Sequence, residues 1–221
     1  MNSQAFLMLQ GEHAPFSPSQ PVWLNYSDEE LVDSFKNKKR SEIGTELHEW
    51  ASAQINLLQN VSYPRDVEKG LRYHIYKKYE NAPDYRDVLL LSASFLSANV
   101  YGTVKSFVND CIGYGMRSEQ RVQFSALFYG TTDAIRFADN KLMVFDLKTG
   151  SRQAKLDQLY VYASLYCLEH EVKPSDIETE LRIYQNNEVL IDTPDPPLLT
   201  ECMRLIVHKN KVITKFLEGM K

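Results

Sequence analysis

Cysteine, glycine and proline are all scarce in this sequence, at 3, 9 and 9 of 221 residues. Cys111, Cys167 and Cys202 are far apart, odd in number and without a CxxC spacing. That excludes a disulfide framework and a cysteine metal knuckle, and leaves reduced, buried thiols as the expectation. Long apolar runs are missing too. The stretch at residues 88–93 is soon broken by Ser94 and Ser97, so no bilayer span is expected. No basic segment precedes the short apolar patch near the N-terminus, so no signal peptide is expected and a soluble cytoplasmic protein is. Nor is positive charge in excess: the formal net charge is −4. A protein that coats nucleic acid carries a strongly basic face, so this balance argues against a pure nucleic-acid-binding module. It leaves room for an enzyme with a local basic channel, because the field depends on where the charges sit.

What is present is an ordinary globular composition, 43% hydrophobic and 24% charged, long enough for a substantial core. Residues 1–26 hold Pro15, Pro18 and Pro21 with no clear period and read as an irregular arm before a single domain over residues 27–221. Ser27-Asp28-Glu29-Glu30 is a capping box. It starts a short helix through Leu31, Val32 and Phe35 that ends in the basic cluster Lys36, Lys38, Lys39 and Arg40. Ile43, Leu47, Ala51, Ile55 and Leu58 recur at helical spacing and predict a second helix over 42–58. Further helices are expected over 64–80, 85–98 (with Asp84 as N-cap) and 101–115. Near Arg121 the period changes to two. Val122, Phe124, Ala126 and Phe128 predict a strand, 131–138 a second, and 142–148 a third that is apolar on both faces, as a central strand should be. A helix over 152–169, strands at 180–184 and 188–191, and a final helix over 198–217 follow. The order predicts an α/β (α+β) fold, a mixed central sheet flanked by helices with a helical N-terminal half.

The third strand carries the chemistry. If Asp139-Asn140 forms the hairpin turn, Ala138 pairs with Lys141, and Asp133 then lies opposite Asp146. Facing partners on adjacent strands have Cβ atoms about 4.5–5.5 Å apart. Two carboxylates that close repel unless a cation sits between them, and hard divalent cations prefer carboxylate oxygens. Lys148, two residues after Asp146, shares its face. An ammonium there can orient a metal-bound water or neutralise charge on a phosphoryl group. An exposed Asp146–Lys148 ion pair is the alternative, but Asp146 follows the apolar run Leu142-Met143-Val144-Phe145, where a charge without a partner is costly.

Gly130-Thr131-Thr132-Asp133, then Phe145-Asp146-Leu147-Lys148-Thr149-Gly150, resembles the core of the PD-(D/E)XK nucleases, a restriction-endonuclease-like fold. Gly44-Thr45-Glu46-Leu47-His48 and Gln158-Leu159-Tyr160-Val161-Tyr162 resemble two further motifs of its RecB-like exonucleases, in the family's order and over roughly residues 42–165. The resemblance implies that His48, Asp133 and Asp146 bind Mg²⁺ or Mn²⁺ with the backbone carbonyl of Leu147. It implies that Lys148 assists the attacking water and that Gln158 and Tyr162 position the lysine or the DNA backbone. The four-cysteine iron–sulfur cluster of some relatives has no counterpart in three scattered cysteines. A stand-alone, cluster-free nuclease is therefore implied, of a kind often encoded by phages. Arg152 and Lys155, expected at the start of the next helix, and Lys38, Lys39 and Arg40 are candidate phosphate contacts. A DNA exonuclease is the expected function. The alternatives are a catalytically weak DNA- or protein-binding module, with a protein partner or a second copy, and a structure-specific endonuclease.

Overall fold

The computed structural model describes residues 16–150 and 152–220. Five strands, β1 (Arg117–Gln123), β2 (Tyr129–Ala138), β3 (Lys141–Leu147), β4 (Glu178–Gln185) and β5 (Glu188–Asp192), form one sheet in sequence order. β1, β2 and β3 make an antiparallel meander, β4 runs parallel to β3, and β5 returns antiparallel as a hairpin. The parallel step needs a crossover, which α5 (Asp157–Glu169) supplies. Four helices precede the sheet: α1 (Asp28–Asn56), α2 (Pro64–Lys78), α3 (Pro83–Ser92) and α4 (Ala98–Gly113). α6 (Pro196–Glu218) follows it. The expected mixed sheet, flanked by helices behind a helical N-terminal half, is therefore the architecture.

The apolar residues of β3 alternate between two cores, as a strand's period of two requires. Met143, Phe145 and Leu147 join Ile43, Leu47, Leu71, Val104 and Phe107 on the face covered by α1, α2 and α4. Leu142 and Val144 join Leu159, Ala163, Leu199 and Ile206 under α5 and α6. Asp139 and Asn140 both have positive φ (55° and 59°), the left-handed pair of a two-residue hairpin turn. They set the register Ala138↔Lys141. Among the described residues no single helix is long and apolar enough to cross a membrane. Only the bent pair Pro83–Phe95 and Ala98–Gly113 reaches that composition, at 97° to one another, and its Leu89, Val104, Phe107 and Val108 are buried in the core.

Several boundaries differ from expectation, for local reasons. The two helices expected before residue 58 are one continuous α1. No proline or glycine interrupts residues 36–41, and Lys39 is buried within the helix, its ammonium 2.7 Å from Glu42 and over the Tyr85 ring. β1 begins earlier than expected and stops at Gln123. Residues 124–128 form its turn to β2, where Ser125 Oγ accepts the amides of Leu127 and Phe128. The helix at 85–98 begins instead at Pro83, with Asp84 in its first turn and Ala82 as N-cap, and ends at Ser92. α5 begins at Asp157, not 152. Of the expected irregular arm, residues 1–15 lie outside the described residues, and Pro21–Asn25 is a 3₁₀ turn.

Candidate active site

β2 and β3 part company at one end of the sheet. Their ladder runs from Ala138↔Lys141 to Ala134↔Phe145. Beyond it, the directly opposed Asp133–Asp146 pair is replaced by a splayed arrangement. Asp133 turns inward and its Oδ2 accepts the Leu147 N–H at 2.7 Å. Its Oδ1 lies 3.4 Å from His48 Nδ1 on α1. Leu147 thus orients Asp133 through its amide, while its own side chain is buried. Asp146 is 3% exposed. The Lys148 ammonium lies 3.0 Å from Asp146 Oδ1 and 2.9 Å from Oδ2. Oδ1 accepts a hydrogen bond from the ammonium, whereas buried Oδ2 is ion-paired with it without hydrogen-bond geometry.

Lys148 is held from the other side by Gln158 Oε1 at 3.0 Å. Gln158 in turn donates to Tyr162 Oη at 3.0 Å. The i, i+4 spacing of Gln158 and Tyr162 on α5 produces this chain. Two glycines let the helices come this close. A Cβ on Gly130 would lie 2.7 Å from the Tyr162 ring, and one on Gly44 would lie 2.8 Å from Thr149 Oγ1. β2 can therefore lie against α5, and α1 against the loop leaving β3.

The electrostatics follow from this geometry. Burial pushes the Asp146 carboxyl up, nearby Asp133 pushes it further, and Lys148 only partly offsets them, so it titrates at about 6. Burial works against a charged His48. The hydrogen bond and charge of Asp133, with Asp146 and Glu119 adding, outweigh it and hold the imidazole above its ordinary value. Burial and the charge of Asp133 also raise Glu119. Three carboxylates, one ammonium and one imidazole that favours a proton describe a site short of positive charge. A deeply buried carboxylate that faces a second acid and is matched by one ammonium is a feature a hard cation would satisfy. His48, Asp133 and Asp146 have the donor chemistry for Mg²⁺ or Mn²⁺. Their ligand atoms do not all lie within 4.8 Å of one another, so binding would require these side chains to converge.

His48, Asp133 and Glu119 line one end of a cavity of about 1240 Å³. One wall is the α1 face bearing Asn37, Arg40, Ser41 and Thr45; Asn99, Thr149, Gly150, Arg152 and Asn186 lie along it. Of the expected phosphate contacts, Arg40 and Arg152 line this groove. Arg40 is steadied by Asn37 Oδ1 and by the Phe95 carbonyl, each at 3.1 Å. Lys39 is corrected to a buried structural residue. Lys38 lies over the Phe16 ring and is not among the groove's lining residues. Arg152 and the exposed Lys155 precede α5 in a loop instead of starting the helix. Gln185 pins that loop, accepting from the Ala154 amide and donating to the Gly150 and Arg152 carbonyls.

Sequence reading missed two further groups. Glu119 was hidden inside an unremarkable strand. Glu46, which the sequence offered only as part of the His48 motif, is 4% exposed and takes bonds from His74, Lys78 and Tyr79 at 2.7–3.1 Å. With Glu49 and His74 it forms a trio whose ligand atoms lie within 4.8 Å, a possible metal cluster by distance. The Lys78 ammonium already sits against both carboxylates.

Fold and site together define a mixed α/β protein with a histidine–carboxylate–lysine cleft at the open end of its sheet. A family profile described as a protein of unknown function, DUF2800, matches residues 13–185, and the chain belongs to that family. No curated protein and no solved structure matches. The match covers His48, Glu119, Asp133, Asp146, Lys148, Gln158 and Tyr162 and ends before β5 and α6.

Proposed function

We propose that this protein is a divalent-metal-dependent deoxyribonuclease, an exonuclease of the PD-(D/E)XK class acting with Mg²⁺ or Mn²⁺ on DNA in the cytoplasm of a bacterial cell, in phage or host DNA processing. The observation that carries the reading is buried Asp146. It has one oxygen without a hydrogen bond and a carboxyl raised to about 6, between Asp133 and a lysine fixed by Gln158. A carboxylate this costly to bury suits a group whose partner arrives with the cation.

In this reading His48, Asp133 and Asp146 hold the cation, together with the Leu147 carbonyl. When bound, the cation acidifies a water and polarises the phosphoryl oxygens. Asp133 is pre-oriented by the Leu147 amide, and His48 would hold the cation only in its neutral form. Lys148, tethered through Gln158 to Tyr162, presents its ammonium to the water or the phosphoryl oxygen beside Asp146. Arg40 and Arg152 supply fixed positive charge along the groove for the strand's phosphates. Water adds to phosphorus and the bond to O3′ breaks, leaving a 5′-phosphate.

The test is cleavage of linear, covalently closed circular and single-stranded DNA with Mg²⁺, Mn²⁺ or chelator. Metal-dependent loss of linear DNA from its ends is expected. Asp146→Ala and Lys148→Ala should each lower the rate by roughly a hundredfold or more while leaving the circular-dichroism spectrum unchanged. Binding without turnover in every metal would instead mark a DNA-binding module, and cutting of closed circles an endonuclease.

A further inference from the structure

We propose that Glu119 is a further ligand of the cation at Asp133 and Asp146, a third carboxylate delivered by a kink in β1. The inference rests on the cation reading above and names a residue that reading does not include.

The placement of Glu119 is visible in its strand. Ser118 and Val122 are four residues apart and should share a face. Instead Ser118 is buried against Ser52 and Asn56 of α1, whereas Val122 lies in the core under α5 and α6. The inversion falls at Glu119, whose φ is +51°. The β1–β2 register runs Ser118↔Ala134 and Gln120↔Thr132, so Glu119 stands at the position facing Asp133. It lines the same groove as Asp133 and His48, and its charge acts on His48.

Charge supports the assignment independently. With His48 neutral, Glu119, Asp133 and Asp146 carry three negative charges against the single positive charge of Lys148. One divalent cation closes that balance. Without Glu119 the site would carry excess positive charge once loaded. Asp146 itself is deeply buried, and its Oδ2 has the Lys148 ammonium at 2.9 Å but accepts no hydrogen bond. A left-handed glutamate is a backbone cost that glycine would avoid; an acid at this position is accounted for by what its carboxylate does.

The experiment is Mn²⁺ binding by the full chain, followed by the free-Mn²⁺ electron paramagnetic resonance signal, for the wild type, Glu119→Gln, Glu119→Gly and Asp146→Asn. Glu119→Gln should weaken binding by roughly 10–100-fold, and Asp146→Asn should abolish it. Glu119→Gly should lose affinity like the glutamine variant while raising the melting temperature, because the kink costs glycine little. Wild-type affinity in both Glu119 variants, with Asp146→Asn defective, would overturn the role of Glu119 and leave the cation site standing. Loss of affinity with a lowered melting temperature in Glu119→Gly would assign the residue to the fold and overturn the proposal too. If the wild type binds no Mn²⁺, the cation reading itself fails and the role of Glu119 with it.

Discussion

α1 contributes to two neighbouring clusters of similar composition. One holds Glu46 and Glu49 with His74 and Lys78; the other holds Asp133, Asp146 and Glu119 with His48 and Lys148. In the first, the ammonium lies against both carboxylates, and Glu46 is further bonded by His74 and Tyr79. Burial alone would raise Glu46, but those bonds outweigh it and its carboxyl falls below the ordinary range. In the second, the lysine reaches Asp146 alone, Asp133 is turned toward the backbone, and Asp146 is pushed up to about 6. Acids with one histidine and one lysine make a closed structural clasp in one place and, with Glu119 as a third acid, an electrostatically unfinished cleft in the other. Residue type does not separate them. What does is whether the ammonium sits between the acids or beside one of them.

The contrast breaks most sharply if one acid is removed from each cluster. Glu46→Ala should cost about 3 kcal/mol of stability, because it strips the buried partner of His74, Lys78 and Tyr79. A urea titration measures this. The loss should be confined to pH above the lowered Glu46 value, since that stabilisation disappears as pH falls through it.

Asp146→Asn should act in the opposite direction. In the folded protein the Asp146 carboxyl titrates near 6, against an ordinary 3.8. The folded state therefore holds a proton that the unfolded chain has released between those values, and wild-type stability rises as pH falls through that window. Above it the charged form weakens the fold, so the asparagine variant should be more stable than wild type at pH 7.5 by on the order of 2 kcal/mol. The difference should vanish toward pH 4. Equal or lower stability at pH 7.5 would mean that Asp146 is satisfied without a cation.

A smaller effect sharpens the same contrast. Because His48 favours a proton in the cation-free protein, a cation must displace that proton. Mn²⁺ affinity should therefore fall by up to about tenfold per pH unit once pH drops below the raised His48 value, and more steeply below about 6, where Asp146 also takes up a proton. A flat affinity profile would remove His48 from the ligand set.

The sequence made much of the cleft legible, for identifiable reasons. A two-residue turn that accepts left-handed backbone fixed the β2–β3 register, and a period of two placed Lys148 beside Asp146. The i, i+4 spacing of Gln158 and Tyr162 anticipated their joint hold on the lysine. His48 was visible through a motif resemblance, since a lone histidine beside an apolar helix face carries no signal of its own. The splay beyond Ala134 was not legible, because it depends on Asp133 choosing a backbone amide. Glu119 was hidden because a left-handed kink at a glutamate has no compositional mark. The burial of Glu46 was not legible because its partners lie on and just after the next helix, about 30 residues away. Lys39 looked like part of a basic surface patch, and only the ring of Tyr85 and the carboxylate of Glu42 show why it is inside.

Anomalous diffraction at the manganese edge, from crystals equilibrated with Mn²⁺, compares the two clusters in one measurement. The account predicts a peak within coordination distance of Asp146 and Asp133 and none between Glu46, Glu49 and His74, where Lys78 already stands. A peak displacing Lys78 with the cleft empty would contradict it.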